Sequence, residues 1–266
     1  MIIVDAHVTV GIRQQIWGLK RHTAEDQIAL MERCGIDLAC IFSPAPGLVR
    51  PEHFAEGNDF VAEATRRYPD RFIPFAVINP WYGEEALAEL ERNLDRGFAG
   101  VKLYPPGHGF YPIDSPLVYP VVERAIEAGI PLLIHTDFNS KVATPYHLVR
   151  LARRYPEAKL ILAHLGMDPD LVHFIPELLQ EVPNVAIEIS CAPDIPEAVV
   201  KRPVEVLGSC RVLFATDAPG VAPELALLKV KLAGLKPQDE AEVMGKAVLR
   251  LIPQDRWPAR VFETHG

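Results

Sequence analysis

The sequence predicts a closed (β/α)8 barrel of the TIM-barrel class, and three observations lead there. Eight short apolar runs alternate with helical segments along all 266 residues, with no shift in composition to divide them. Four of the runs end in a titratable or metal-competent side chain: Ile2-Ile-Val-Asp-Ala-His7, Pro131-Leu-Leu-Ile-His135, Lys159-Leu-Ile-Leu-Ala-His164 and Val212-Leu-Phe-Ala-Thr-Asp217. No Gly-x-Gly-x-x-Gly turn follows any run, which disfavours an open doubly wound sheet. In a barrel the carboxyl ends of the strands meet at one mouth, so side chains from strands one, five, six and eight converge. The expectation is a single barrel domain over residues 1–266.

In chain order, residues 2–7 read as the first strand, and the Gly- and Arg-bearing segment Val8 to His22 (Arg13, Trp17) as a long loop. Thr23-Ala-Glu-Asp26 is an N-cap with acids in the first turn, and Gly35 stops that helix. Strand two is Leu38 to Phe42, followed by a Pro-rich loop, Pro44 to Pro51. A helix follows over Asn58 to Tyr68, then strand three over Phe72 to Ile78 and, after Asn79-Pro80, a helix over Gly83 to Arg96. Strand four is Ala99 to Tyr104, with Pro105-Pro106-Gly107 as its loop. Helices near 117–128 and 145–155 lead into the strands that end at His135 and His164. Another helix near 169–181 precedes strand seven, Val185 to Ile189, and one near 195–207 precedes strand eight. Helical stretches near 223–233 and 239–251 finish the chain.

Composition bounds the function. Apolar residues make up 49%, enough for a large core and too many for a disordered chain. Lys and Arg number 27 against 35 Asp and Glu, a net charge of −8 with no basic stripe, so nucleic acid is excluded as an expected partner. Nothing approaches eighteen uninterrupted apolar residues, so no membrane span is expected. The chain opens directly on a strand with no cleavable apolar leader, and the four cysteines (Cys34, Cys40, Cys191, Cys210) form no Cys-x-x-Cys pair. Together these read as a cytoplasmic protein with reduced thiols. The 25 prolines, many just before helices and strands, stiffen the loops.

His7, His135, His164 and Asp217 make a plausible divalent-metal site. Imidazole and carboxylate suit zinc, and three protein ligands plus water is the usual catalytic arrangement. Metal-activated water is a nucleophile near neutral pH, and a nearby carboxylate such as Asp217 can orient it and take its proton. Singly, each residue has a plainer explanation: a strand-end histidine is commonly a hydrogen-bonded structural group, and Asp217 before Ala-Pro is a helix-cap candidate. It is the repetition at four strand ends that points to chemistry.

The motifs Asp5-Ala-His7, Gly100-Val-Lys-Leu-Tyr104-Pro, Leu133-Ile-His135, Leu162-Ala-His164-Leu-Gly and Phe214-Ala-Thr-Asp217 carry a resemblance. In order and spacing they resemble the amidohydrolase superfamily, and most of all the branch containing aminocarboxymuconate-semialdehyde decarboxylase and related metal-dependent hydrolases. The resemblance covers nearly the whole chain and implies a distorted (β/α)8 barrel. It also implies that His7, His135 and Asp217 bind one divalent metal, zinc by expectation, while His164 works beside it. The family pattern has His-x-His after the first strand, whereas this chain has His7-Val8-Thr9; the neutral hydroxyl of Thr9 is a weak ligand.

Lys102 has two readings, a cation for a substrate carboxylate or a buried partner of an acid such as Glu188. Tyr104 and Asp137 join Lys102 as candidate substrate contacts, with Trp17 and Phe110 as possible apolar walls. Cys191, near the mouth, has no base beside it in sequence and is not assigned as a nucleophile. The resulting expectation is a metal-dependent hydrolase of a C–O or C–N bond in a small organic acid, amide or lactone, with Asp217 as base and His164 as proton relay. A non-oxidative decarboxylase of an unsaturated or aromatic acid is the first alternative; a degenerate, metal-poor barrel that only binds a ligand is the second. A small-molecule substrate is the expected partner, and a homo-oligomer follows from family habit.

Overall fold

The computed structural model describes residues 1–11, 22–43 and 50–263. The loop residues Arg13 and Trp17, and most of the Pro44–Pro51 loop, lie outside the described residues. Eight strands form one parallel sheet in sequence order: β1 (Val4–Thr9), β2 (Leu38–Phe42), β3 (Phe72–Val77), β4 (Gly100–Leu103), β5 (Leu132–His135), β6 (Leu160–Ala163), β7 (Val185–Glu188) and β8 (Val212–Leu213). The two ends of the sheet meet. Ala6 N donates to Phe214 O (3.0 Å), Asp217 N to His7 O (2.9 Å) and Thr9 N to Ala218 O (2.8 Å), so β1 lies against the segment that continues β8. The barrel expectation is met, with a short, irregular last strand.

The strands alternate between two apolar compartments, as period-two geometry demands. Leu133, Ile161, Ala163, Ala186, Leu213 and Ala215 fill the barrel interior. Leu132, Ile134, Leu160, Leu162, Ile187 and Phe214 face outward under the helices. Gly100 is needed for this filling, because a Cβ there would meet the Phe75 ring at 2.5 Å. β1 breaks the alternation. Val4 and Ala6 belong to the interior and Val8 and Val10 to the outer layer, and the pairing with β2 shifts register between Asp5 and Val8. An extra residue in a strand re-aims the side chains that follow it. Here the shift turns His7 and Thr9 toward the mouth.

Helices α1 (Ala24–Cys34), α2 (Pro51–Arg67), α3 (Glu84–Asp95), α4 (Tyr119–Glu127) and α5 (Pro145–Arg154) pack outside the sheet. α1 starts at Thr23 through the expected reciprocal cap, Thr23 Oγ1 accepting from Asp26 N and the Asp26 carboxylate from Thr23 N, and it ends at Gly35 with φ of 69°. Two expectations are corrected. α2 starts at Pro51, not at Asn58: proline fits the first helical position, where its missing N–H costs nothing, and Asn58 is a buried interior residue. Residues 169–181 do not form one helix. A turn at Val172–Phe174 is followed by the short α6 (Ile175–Leu178), whose second residue, Pro176, has no N–H to continue a longer helix from upstream. α7 (Arg202–Leu207), α8 (Pro223–Leu232), α9 (Pro237–Ala241) and α10 (Ala247–Leu251) complete the described helices used below. No described helix is long and apolar enough to cross a membrane.

Candidate active site

The mouth is organised around Glu188, the last residue of β7, which is fully buried. One of its oxygens, Oε1, accepts from His7 Nδ1 (2.8 Å), His164 N (3.0 Å) and Ser190 Oγ (3.0 Å), and Oε2 accepts from Ser190 N (2.6 Å). A carboxylate only accepts, so His7 carries its proton on Nδ1 and presents a bare Nε2. Ser190 spends its hydroxyl proton on Glu188, so its oxygen accepts from His164 Nδ1 (2.9 Å). His164 therefore also presents a bare Nε2. A histidine held from behind by a carboxylate is the arrangement that prepares imidazole as a metal ligand or a base.

Around these nitrogens lie the other polar groups. His7 Nε2 is 3.4 Å from Asp217 Oδ1 and 3.4 Å from Lys102 Nζ. Cys191 Sγ donates to Asp217 Oδ2 at 3.1 Å. Behind β1, the buried Asp5 accepts from His7 N (3.1 Å), Thr216 N (3.0 Å) and Thr216 Oγ1 (2.6 Å), tying the ends of β1 and β8 together. Burial raises the Asp5 carboxyl to about 7, outweighing the hydrogen bonds that lower it. Burial also lowers the Lys102 ammonium to about 8, against the pull of Glu188 and Asp217. It keeps both His164 and His135 neutral, His135 falling to about 3 with Lys102 adding to the effect. The Cys191 thiol is pushed up by burial and then by the Asp217 charge.

The structure brings His7, His164, Asp217 and Lys102 into one cluster. His135 joins through ring contacts, its centroid 5.0 Å from His164 and 4.8 Å from Tyr104. Phe42 closes one wall, with its ring 5.1 Å from His7 and 5.1 Å from Lys102 Nζ. Asp137 turns back on its own loop, where Oδ1 accepts from Asn139 N at 2.7 Å. Phe110 points outward, 55% exposed. Among the described residues, two sets of donors lie within 4.8 Å of one another, His7–His164–Glu188 and His164–Cys191–Asp217; neither includes His135. Sequence reasoning placed Cys191 near the mouth but missed the bridging role of Glu188 and the contacts that Ser190 and Cys191 make there. The available signal was an acid ending the apolar run Val-Ala-Ile-Glu188, matching the other strand ends.

One pair of donors has the spacing of two ligands of a divalent ion. Two donors at about 2.1 Å in a tetrahedral zinc site sit about 3.4 Å apart, which is the His7 Nε2 to Asp217 Oδ1 distance.

Comparison with known proteins agrees with the fold. The family model described as amidohydrolase matches residues 4–252. A dihydroorotase of Pseudomonas fluorescens is 29% identical over 171 residues, 56% of this chain and 48% of that protein, so the chain spans about half the length of this curated relative. Among solved structures, a putative amidohydrolase from Staphylococcus aureus superposes with a TM-score of 0.80 at 18% identity, covering 95% of this chain and 99% of that one. A 5-carboxyvanillate decarboxylase from Novosphingobium aromaticivorans, complexed with manganese and 4-hydroxy-3-methoxy-5-nitrobenzoic acid, superposes with a TM-score of 0.78 at 19% identity, covering 94% and 95%.

Proposed function

The chain belongs to the amidohydrolase family, and on that premise we propose that it is a metal-dependent hydrolase of a C–O or C–N bond in a small organic acid, amide or lactone. The observation that carries this reading is the pair of imidazoles, His7 and His164, whose tautomers are fixed through Glu188 so that Nε2 carries no proton, with His7 Nε2 3.4 Å from Asp217 Oδ1. His7, Asp217 and His135 would hold the ion, zinc by the nature of these donors. When bound, it supplies a Lewis acid and activates water for attack. Asp217 orients the water and takes its proton. His164, kept neutral by burial, relays that proton toward the leaving group through Nε2. Lys102 supplies a cation for the substrate's carboxylate, with Phe42 and Tyr104 as flat walls beside it and Asp137 at the rim.

A second reading has support of its own. A buried cation between aromatic walls also suits an unsaturated or aromatic acid, and a structural neighbour is a decarboxylase with a substituted benzoic acid bound. One assay separates the two. Metal-loaded protein is offered lactones, cyclic amides and hydroxylated benzoic acids, and both ring opening and carbon dioxide release are followed. Ring opening, reduced by about 10²–10⁴-fold in Asp217→Asn with the fold intact, is the expected result. Carbon dioxide release without hydrolysis of any lactone or amide replaces the hydrolase with the decarboxylase. An unchanged rate in Asp217→Asn removes that residue from the mechanism.

A further inference from the structure

Cys191 stands at the mouth with its sulfur against Asp217, inside one of the two donor sets found among the described residues. We propose that Cys191 is a ligand of the metal, sharing it with Asp217, and that its sulfur tunes the site toward zinc and away from manganese. This rests on the metal-dependent reading above. A ligating atom of Cys191 lies within 4.8 Å of one on His164 and one on Asp217, a closeness that His135 does not reach among the described residues. Sγ is 3.1 Å from Asp217 Oδ2, while His7 Nε2 is 3.4 Å from Oδ1 of the same carboxylate. Asp217 is thus the common edge of two donor pairs.

The backbone supports a fixed purpose for this cluster. All three of its members are non-glycine residues in the left-handed region, with φ of 66° at His164, 50° at Cys191 and 59° at Asp217. Such conformations are costly for ordinary side chains and collect where a side chain must be aimed. Cys191 is also held from outside. The buried Lys229 of α8 donates from Nζ to the carbonyl of the next residue, Ala192, at 2.7 Å. Without a metal the thiol proton lies in the hydrogen bond to Asp217. On ligation that S–H bond breaks, its proton leaves to solvent, and the sulfur pair goes to the metal; no oxidant or reductant is needed. A thiolate favours zinc over manganese, which prefers oxygen donors.

The test is spectroscopic and independent of turnover. Metal-free protein is loaded with one equivalent of Co²⁺, and the near-ultraviolet thiolate-to-cobalt charge-transfer band is recorded beside the bound cobalt content. Wild type and Cys210→Ser are expected to show the band. Cys191→Ser is expected to lose it while still binding cobalt, and to lose zinc affinity at least tenfold with a smaller change for manganese. Cys191→Gly, which relaxes the backbone at φ of 50°, gives the same reading if the serine variant folds poorly. Cobalt bound by wild type without the band, or a band that survives in both variants, overturns the cysteine proposal and leaves the metal reading standing. Folded wild type that takes up no cobalt, zinc or manganese overturns the metal reading and this proposal with it.

Discussion

Glu188 carries more of the site than any residue the sequence marks out. It contacts the reaction space only through others, aligning His7 from Nδ1 and His164 through Ser190 and through its backbone N–H. Glu188→Gln keeps the shape but replaces one acceptor oxygen with an NH2 that clashes with a donor, Ser190 N or His7 Nδ1–H. With its anchor disturbed, His7 is free to take the other tautomer, which puts a proton on Nε2. Metal affinity is expected to fall about 10–100-fold, measured by competition with a chelating dye. A variant that binds as tightly as wild type removes Glu188 from its positioning role. His7, His135, His164 and Asp217 were legible because each ends an apolar run, where a polar side chain is out of place. Glu188 ends a run too, yet an acid in Val-Ala-Ile-Glu reads equally well as a partner for Lys102. Its partners come from β1, β6 and the loop after β7, and only the closed sheet brings those together. Cys191 was less legible still, since its place depends on a left-handed backbone that no local pattern announces.

Between elements, α2, β3 and α3 are joined by a polar cluster beneath the apolar pattern. Asn58 Oδ1 accepts from Val77 N (2.9 Å), while its Nδ2 donates to Val77 O (3.1 Å) and to Glu89 Oε1 (2.8 Å); Arg92 Nε adds a bond to Glu89 Oε2 at 2.8 Å. Half-buried Glu89 is subject first to burial, which raises its carboxyl. The hydrogen bonds from Arg92, Asn58 and Asn93 outweigh this and hold it below its ordinary 4.5. A depressed folded value means that this stabilisation is present above the unfolded value near 4.5 and is lost as pH falls through the lower, folded one. Glu89→Gln is therefore expected to destabilise the protein by about 1–3 kcal/mol at neutral pH and by less in acid. Urea unfolding at both pH values checks it; a loss that grows on acidification contradicts the assignment. The sequence missed this cluster for the same reason that it misplaced the start of α2. Gly57-Asn58 looks like a helix entry, whereas Asn58 uses its amide to bridge to a neighbouring strand rather than to cap its own helix.

For the molecule as a whole, the proposed metal site lies across the seam where the barrel closes. His7 belongs to β1 and Asp217 to the continuation of β8, and Asp5, Thr216 and the bond from Asp217 N to His7 O (2.9 Å) fasten the two. These residues are 210 positions apart, so the site exists only when the first and last strands meet. An ion bound by His7 and Asp217 would act as a clasp on the least regular joint of the sheet, where β8 spans only Val212–Leu213. Because the unfolded chain cannot bring these donors together, binding is linked to folding. At a free metal concentration one hundred times Kd the native state gains about 2.7 kcal/mol. For a chain of this size that corresponds to a rise in Tm of roughly 5–10 °C over the chelated protein. Hydrogen exchange should show added protection first at Ala6, Thr9 and Asp217, whose N–H groups form the seam. A Tm unmoved by a metal that demonstrably binds would mean that the ion sits away from the seam, and would detach His7 and Asp217 from its coordination together.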